Sequence, residues 1–104
     1  MGFGLIVRFR LRDPQAAAAF DRLVEQALNG IRAHEPQTLV YASHVDQGDP
    51  LVRVFYELYA NRAAFELHEE QPHVKYFLAE RGQYLDSFEV TFLDELASKR
   101  PTSE

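Results

Sequence analysis

The chain contains no cysteine and no tryptophan, only one methionine, and no run of apolar residues long enough to span a bilayer. Without cysteine, disulfides, thiolate metal sites and cysteine nucleophiles are excluded. No basic stripe is present either. Eleven basic residues face sixteen acidic ones, for a net charge of −5, which argues against a nucleic-acid partner. The opening residues lack a basic region followed by an apolar block, so no signal peptide is expected. Ile6 stands where a myristoylation site needs Ser or Thr. A cytoplasmic protein without nucleic-acid or membrane partners is the expectation. What the 104 residues do hold is eight Phe and five Tyr, enough for one apolar core in one domain.

Phe3, Leu5, Val7, Phe9 and Leu11 alternate with Gly4, Ile6, Arg8 and Arg10. A period of two makes this a strand with one strongly apolar face. Asp13-Pro14 then supplies an N-cap and a first-turn proline. Phe20, Leu23, Val24, Ala27, Leu28 and Ile31 recur at helical spacing as far as Glu35-Pro36, where the proline ends the helix. Thr38 to Asp46 and Leu51 to Tyr59 read as two strands of an antiparallel hairpin, joined by Gln47-Gly48-Asp49-Pro50. Asn61 caps a short helix, Pro72 opens another, and Gly82 is expected to stop it. A last strand runs from about Tyr84 to Leu93, with Phe88, Val90 and Phe92 on one face.

The order β-α-β-β-α-β predicts an α+β, ferredoxin-like domain over residues 1–96. It has a four-stranded antiparallel sheet with helices on one face. Residues 97–104 are expected to form a flexible tail. Apolar side chains on both faces of some strands exceed what one helical layer covers, so a homodimer is expected to cover the rest.

Chemistry-bearing motifs are few. His68 and His73 stand five residues apart with Pro72 between them, so the zinc-helix spacing fails and no metal site is predicted. Gly2-Phe3-Gly4 lacks a third glycine and precedes its strand, which excludes a dinucleotide fingerprint. No serine sits in a nucleophile elbow. Either His68 or His73 could act as a base near neutral pH. The plainer alternative makes them half-exposed residues at a helix end and in a first turn. Tyr56 and Tyr59 fall on opposite faces of their strand, and Tyr41 is equally ambiguous. Glu57 shares a face with Arg53, which suggests an ion pair. His34 and His44 read as surface residues.

Glu35-Pro36, Thr38-Leu39-x-Tyr41, Tyr56-Glu57-x-Tyr59, Ala64-Phe65-x-x-His68 and Pro72-His73-x-x-x-Phe77 together resemble the antibiotic biosynthesis monooxygenase family of dimeric α+β barrels. The order of elements from Phe3 to Leu93 matches as well. The tract from Phe65 to Phe77 is most similar to the quinol monooxygenase branch. The resemblance implies oxygenation of a small aromatic quinol, phenol or polyketide-like substrate by dioxygen, with no metal, flavin or other cofactor. It implies His68 or His73 as base, and Tyr41, Tyr56 or Tyr59 orienting a substrate oxygen. Arg53 would stabilise the anion if its face lines the cavity, and Phe65, Phe77 and Leu78 would form the wall. Heme-degrading relatives carry an Asn, a Trp and a ligand His that this chain lacks, with His68 and Phe77 at the latter two places. A ligand-binding dimer without catalysis is the alternative reading, and a heme-binding protein a more distant one.

Overall fold

The computed structural model describes residues 2–100. Strand β1 (Phe3–Leu11) leads into α1 (Pro14–His34), followed by β2 (Thr38–Asp46) and β3 (Asp49–Tyr59). Two short helices come next, α2 (Arg62–Glu70) and α3 (Pro72–Glu80). A turn of 3-10 helix (Arg81–Tyr84) then enters β4 (Leu85–Asp94). The sheet is antiparallel throughout, in the order β2-β3-β1-β4. This is the ferredoxin-like α+β architecture, with the second helical segment broken into two helices.

Local chemistry accounts for the breaks. The Asp13 carboxylate accepts from the Ala16 amide at 2.7 Å, and Asn61 Oδ1 accepts from the Ala64 amide at 2.8 Å. Each satisfies a helix-start donor that has no partner within the helix. Pro72 ends α2, because the residue before it must stay extended, and Gln71 does so. Gly82 does not stop α3 by a left-handed turn. Its φ is negative, and the chain runs through it as the 3-10 turn. The expected hairpin turn is also tighter, since Asp49 already pairs with Asp46.

Register sorts the side chains onto two faces. Leu5 pairs with Glu57 and Phe92, Val7 with Phe55 and Val90, and Phe9 with Arg53 and Phe88. Directly opposed residues share a face, so these form the helix-facing side. There Phe9, Phe20 and Phe55 meet with ring centres 4.8 to 5.9 Å apart. The helices cover β2, β3 and β1 but stop short of β4. Phe88, Val90 and Phe92 therefore remain 48%, 40% and 59% exposed. The opposite face mixes Ile6, Val54 and Tyr56 with Arg8, Arg10, His44 and Glu89, and Val52 and Leu58 on it are buried.

Residues 95–100 form no regular element, though Glu95 is tied back to Gly2. The rest of the expected tail, 101–104, lies outside the described residues. No described helix is long and apolar enough to cross a membrane.

Candidate functional site

Glu35 ends α1, and its position is costly in two respects. A carboxylate at a helix C-terminus opposes the helix dipole, and this one is buried. Three donors offset the cost. Thr38 Oγ1 donates to Oε1 at 2.6 Å, His68 Nδ1 lies 2.6 Å from the same oxygen, and His73 Nε2 lies 2.5 Å from Oε2. Burial alone pushes the Glu35 pKa up, but the bonds from Thr38, His68 and His73 outweigh it, and the group stays below its ordinary value. Glu35 is therefore a carboxylate at neutral pH and accepts at both oxygens.

His68 is 5% exposed, buried rather than half exposed. Burial lowers its pKa against the pull of Glu35. A neutral imidazole donating from Nδ1 to Glu35 leaves the Nε2 lone pair free. Nε2 has no hydrogen-bond partner among the described residues, and His68 lines two cavities, one between the sheet, α2 and α3 and one beside Glu35, Thr38 and Gln71. Tyr41, Tyr59 and Phe65 hold the ring in place, with centres 5.5, 5.1 and 6.4 Å away.

The first cavity lies between the sheet, α2 and α3, and holds about 110 Å³. Its walls are mostly apolar, including Val7, Phe55, Phe65, Phe77 and Val90. Its polar groups are Tyr41, Glu57, His68, Glu69 and Arg81. Arg81, on the 3-10 turn, lies 4.7 Å from the Phe88 ring centre and 5.5 Å from that of Phe9. Aromatic faces stabilise a guanidinium at such distances. Burial disfavours the Arg81 charge, while Tyr41, Glu57 and Glu69 support it.

Glu57 sits in the centre of the sheet, 5% exposed, and Tyr59 donates to its Oε1 at 2.6 Å. Burial pushes its pKa up to about 7, against the hydrogen bond from Tyr59. Burial also raises Tyr41 and Tyr59, with Glu57 adding to both, so neither phenol ionises near neutrality.

The structure thus brings His68, Tyr41, Phe65, Phe77 and Leu78 to one cavity. His73 lies behind His68, on the far side of Glu35. Tyr59 stands behind Glu57. Neither His73 nor Tyr59 lines the cavity itself, and two further predicted residues lie away from it altogether. Arg53 does not pair with Glu57; it binds Asp21 through two hydrogen bonds of 2.8 and 2.9 Å, in a groove between α1 and the β2–β3 hairpin. Tyr56 projects from the opposite face of the sheet, where register places it beside Ile6 and Ala42.

Three groups escaped sequence reading: Glu35, Glu57 as a cavity residue, and Arg81. A signal existed for Glu35, since an acidic residue just before a helix-ending proline is misplaced by the dipole.

Comparison with known proteins agrees with this architecture. Residues 2–80 match the antibiotic biosynthesis monooxygenase family, and the chain belongs to it. The matched span holds Glu35, Tyr41, Glu57, His68 and His73 but ends before Arg81 and β4. The fold is similar to that of Rv0793 from Mycobacterium tuberculosis, at 26% identity and a TM-score of 0.86, covering 96% of this chain and 100% of that one. PA3566 from Pseudomonas aeruginosa is 25% identical with a TM-score of 0.80, over 92% and 95% of the two chains. A solved antibiotic biosynthesis monooxygenase is also 25% identical with a TM-score of 0.80, over 91% of this chain and 99% of its own. No curated protein matches the sequence.

Proposed function

We propose that this chain is a monooxygenase that ionises a small phenol or quinol in the cavity and oxidises the anion with dioxygen. The observation that carries the reading is the pairing of His68 with Glu35. An ionised carboxylate fixes Nδ1 as the donor and leaves Nε2 without a protein partner, on a residue that lines a mostly apolar cavity. Geometry of this kind suits a general base.

The substrate hydroxyl passes its proton to His68 Nε2, and Glu35 stabilises the resulting imidazolium at Nδ1. Arg81 attracts the anion, and the apolar walls strengthen that attraction by excluding water. The electron-rich ring gives an electron to dioxygen, and ring radical and superoxide combine into a C–O bond. The peroxide takes back the proton from His68. The oxygenated ring carbon then loses its hydrogen as a proton, the C–H electron pair forms the new C=O, and the O–O bond breaks to release the outer oxygen as water. The net reaction of a quinol is quinol plus dioxygen to hydroxyquinone plus water. The substrate supplies all four electrons, so no other reductant is needed.

Size limits what enters. An apolar cavity of ~150 Å³ holds one benzene ring, and this one measures about 110 Å³. It is smaller than that, so no more than one ring is enclosed and a second fused ring stays at the mouth, beside Val90 and Phe92. A heme macrocycle does not fit within it. The exposed apolar side chains of β4 support a homodimer that closes over this mouth.

The test is oxygen uptake with 1,4-dihydroxynaphthalene under ¹⁸O-labelled dioxygen. One labelled atom per product molecule is expected. Tight binding of the quinol without oxygen uptake would establish the ligand-binding alternative instead.

A further inference from the structure

We propose that His73, seated on Gly30, is a positioning residue that locks the Glu35 carboxylate and thereby fixes the tautomer of His68. The inference deepens the reading of His68 as the base and rests on it for its functional meaning.

Gly30 lies inside α1, where glycine weakens a helix relative to alanine. Its backbone is not in the left-handed region, so conformational freedom does not explain it. Space does. A Cβ built on Gly30 would stand 2.5 Å from His73 Nδ1 and 2.8 Å from its Cβ, and would overlap the ring at Cγ. The imidazole of His73 therefore lies against the bare backbone of α1, where any larger residue would displace it. From that seat its Nε2 reaches Glu35 Oε2 at 2.5 Å.

The consequence appears at the other oxygen. Oε1 receives Thr38 and His68, and Oε2 receives His73. With both oxygens held, the carboxylate cannot rotate away from His68. Remove His73 and Oε2 is free. The carboxylate is then held at Oε1 alone, by Thr38 and His68, and its new freedom to turn about that oxygen loosens the acceptor of His68 Nδ1. A share of His68 adopts the Nε2–H tautomer, which has no lone pair at Nε2 to accept a proton. His73 thus acts three hydrogen bonds from the substrate, through Glu35 and His68.

The test needs no substrate. Nitrogen NMR of ¹⁵N-histidine protein reads the His68 tautomer in wild type, G30A, H73A, H73Q and the G30A/H73A double variant. The other titratable groups around His68, namely Glu35, Tyr41 and Tyr59 from neighbouring elements and Glu69 from its own helix, are unchanged in all of these variants. Wild type should show the single Nδ1–H pattern. G30A and H73A should lose it, while H73Q, whose amide still donates to Glu35, should keep it. Urea unfolding adds a second reading. G30A should lower the midpoint when His73 is present. It should raise the midpoint in the H73A background, where alanine only helps the helix. An unchanged His68 pattern in both G30A and H73A would overturn the proposal. So would a G30A effect of the same sign in both backgrounds. Absence of oxygen uptake by wild type would instead refute the oxygenase reading and leave these outcomes readable.

Discussion

At the scale of single residues, two buried carboxylates set the character of the site, and burial treats them differently. Glu35 has three donors and stays ionised; Glu57 has one and is raised to about 7. Linkage gives opposite signs for the two. Glu57 binds its proton more tightly folded than unfolded, so its contribution is full below its unfolded value of 4.5 and is lost as pH rises through about 7. Glu35 and His68, both lowered, contribute fully above their ordinary values of 4.5 and 6.5, and lose that contribution as pH falls through their folded values. E57Q should therefore flatten the alkaline side of the stability profile, removing about 2–3 kcal/mol of loss between pH 5 and 8. Urea midpoints against pH for wild type and E57Q measure it, and parallel curves would contradict it. H68A leaves one Glu35 oxygen short of a buried partner and should cost about 1–3 kcal/mol in the same assay. A half-exposed helix-end histidine would cost less. The histidines were legible in the sequence as candidates. Their shared partner was not, because His68 and His73 meet Glu35 across 33 and 38 residues of chain, and no local pattern encodes that contact. Arg53 and Arg81 show the same limit: alternation puts Arg53 on the correct face but cannot say that Asp21 of α1 occupies its guanidinium.

At the scale of elements, local chemistry was readable almost throughout. Asp13 and Asn61 cap as their residue types predict, and the periods of two and 3.6 place β1 and α1 to within a residue or so. Gly82 misled because glycine permits a left-handed stop without requiring one. The exposure of β4 was also out of reach. Its alternation marks an apolar face, yet only the packing shows that the helices stop before it. The Asn61 cap fixes where α2 begins, and α2 carries both Phe65 and His68. N61A should cost about 1 kcal/mol of stability and broaden the His68 ring resonances as α2 frays. A full loss of stability with sharp His68 signals would show that the cap and the site are uncoupled.

At the scale of the whole molecule, an apolar strip is left over on β4, made by Phe88, Val90 and Phe92, the last two of which line the cavity. Exposed apolar area of this extent points to a partner, and the proposed partner is a second copy. An obligate dimer interface buries upwards of ~2,000 Å² in total. Sedimentation equilibrium at micromolar concentration should give twice the 12.0 kDa chain mass; a well-folded monomer alone would contradict it. The central claim, that the Glu35–His68 pair takes a proton from a phenol held in the cavity, is tested most directly without oxygen. Anaerobic titration of wild type and H68Q with 4-nitrophenol, at a pH well below the free phenol's pKa, reads the anion by its yellow absorption. The account predicts that wild type binds the phenol as its anion and that H68Q binds it neutral. Neutral phenol bound by wild type, or the same anion band in both proteins, would contradict it.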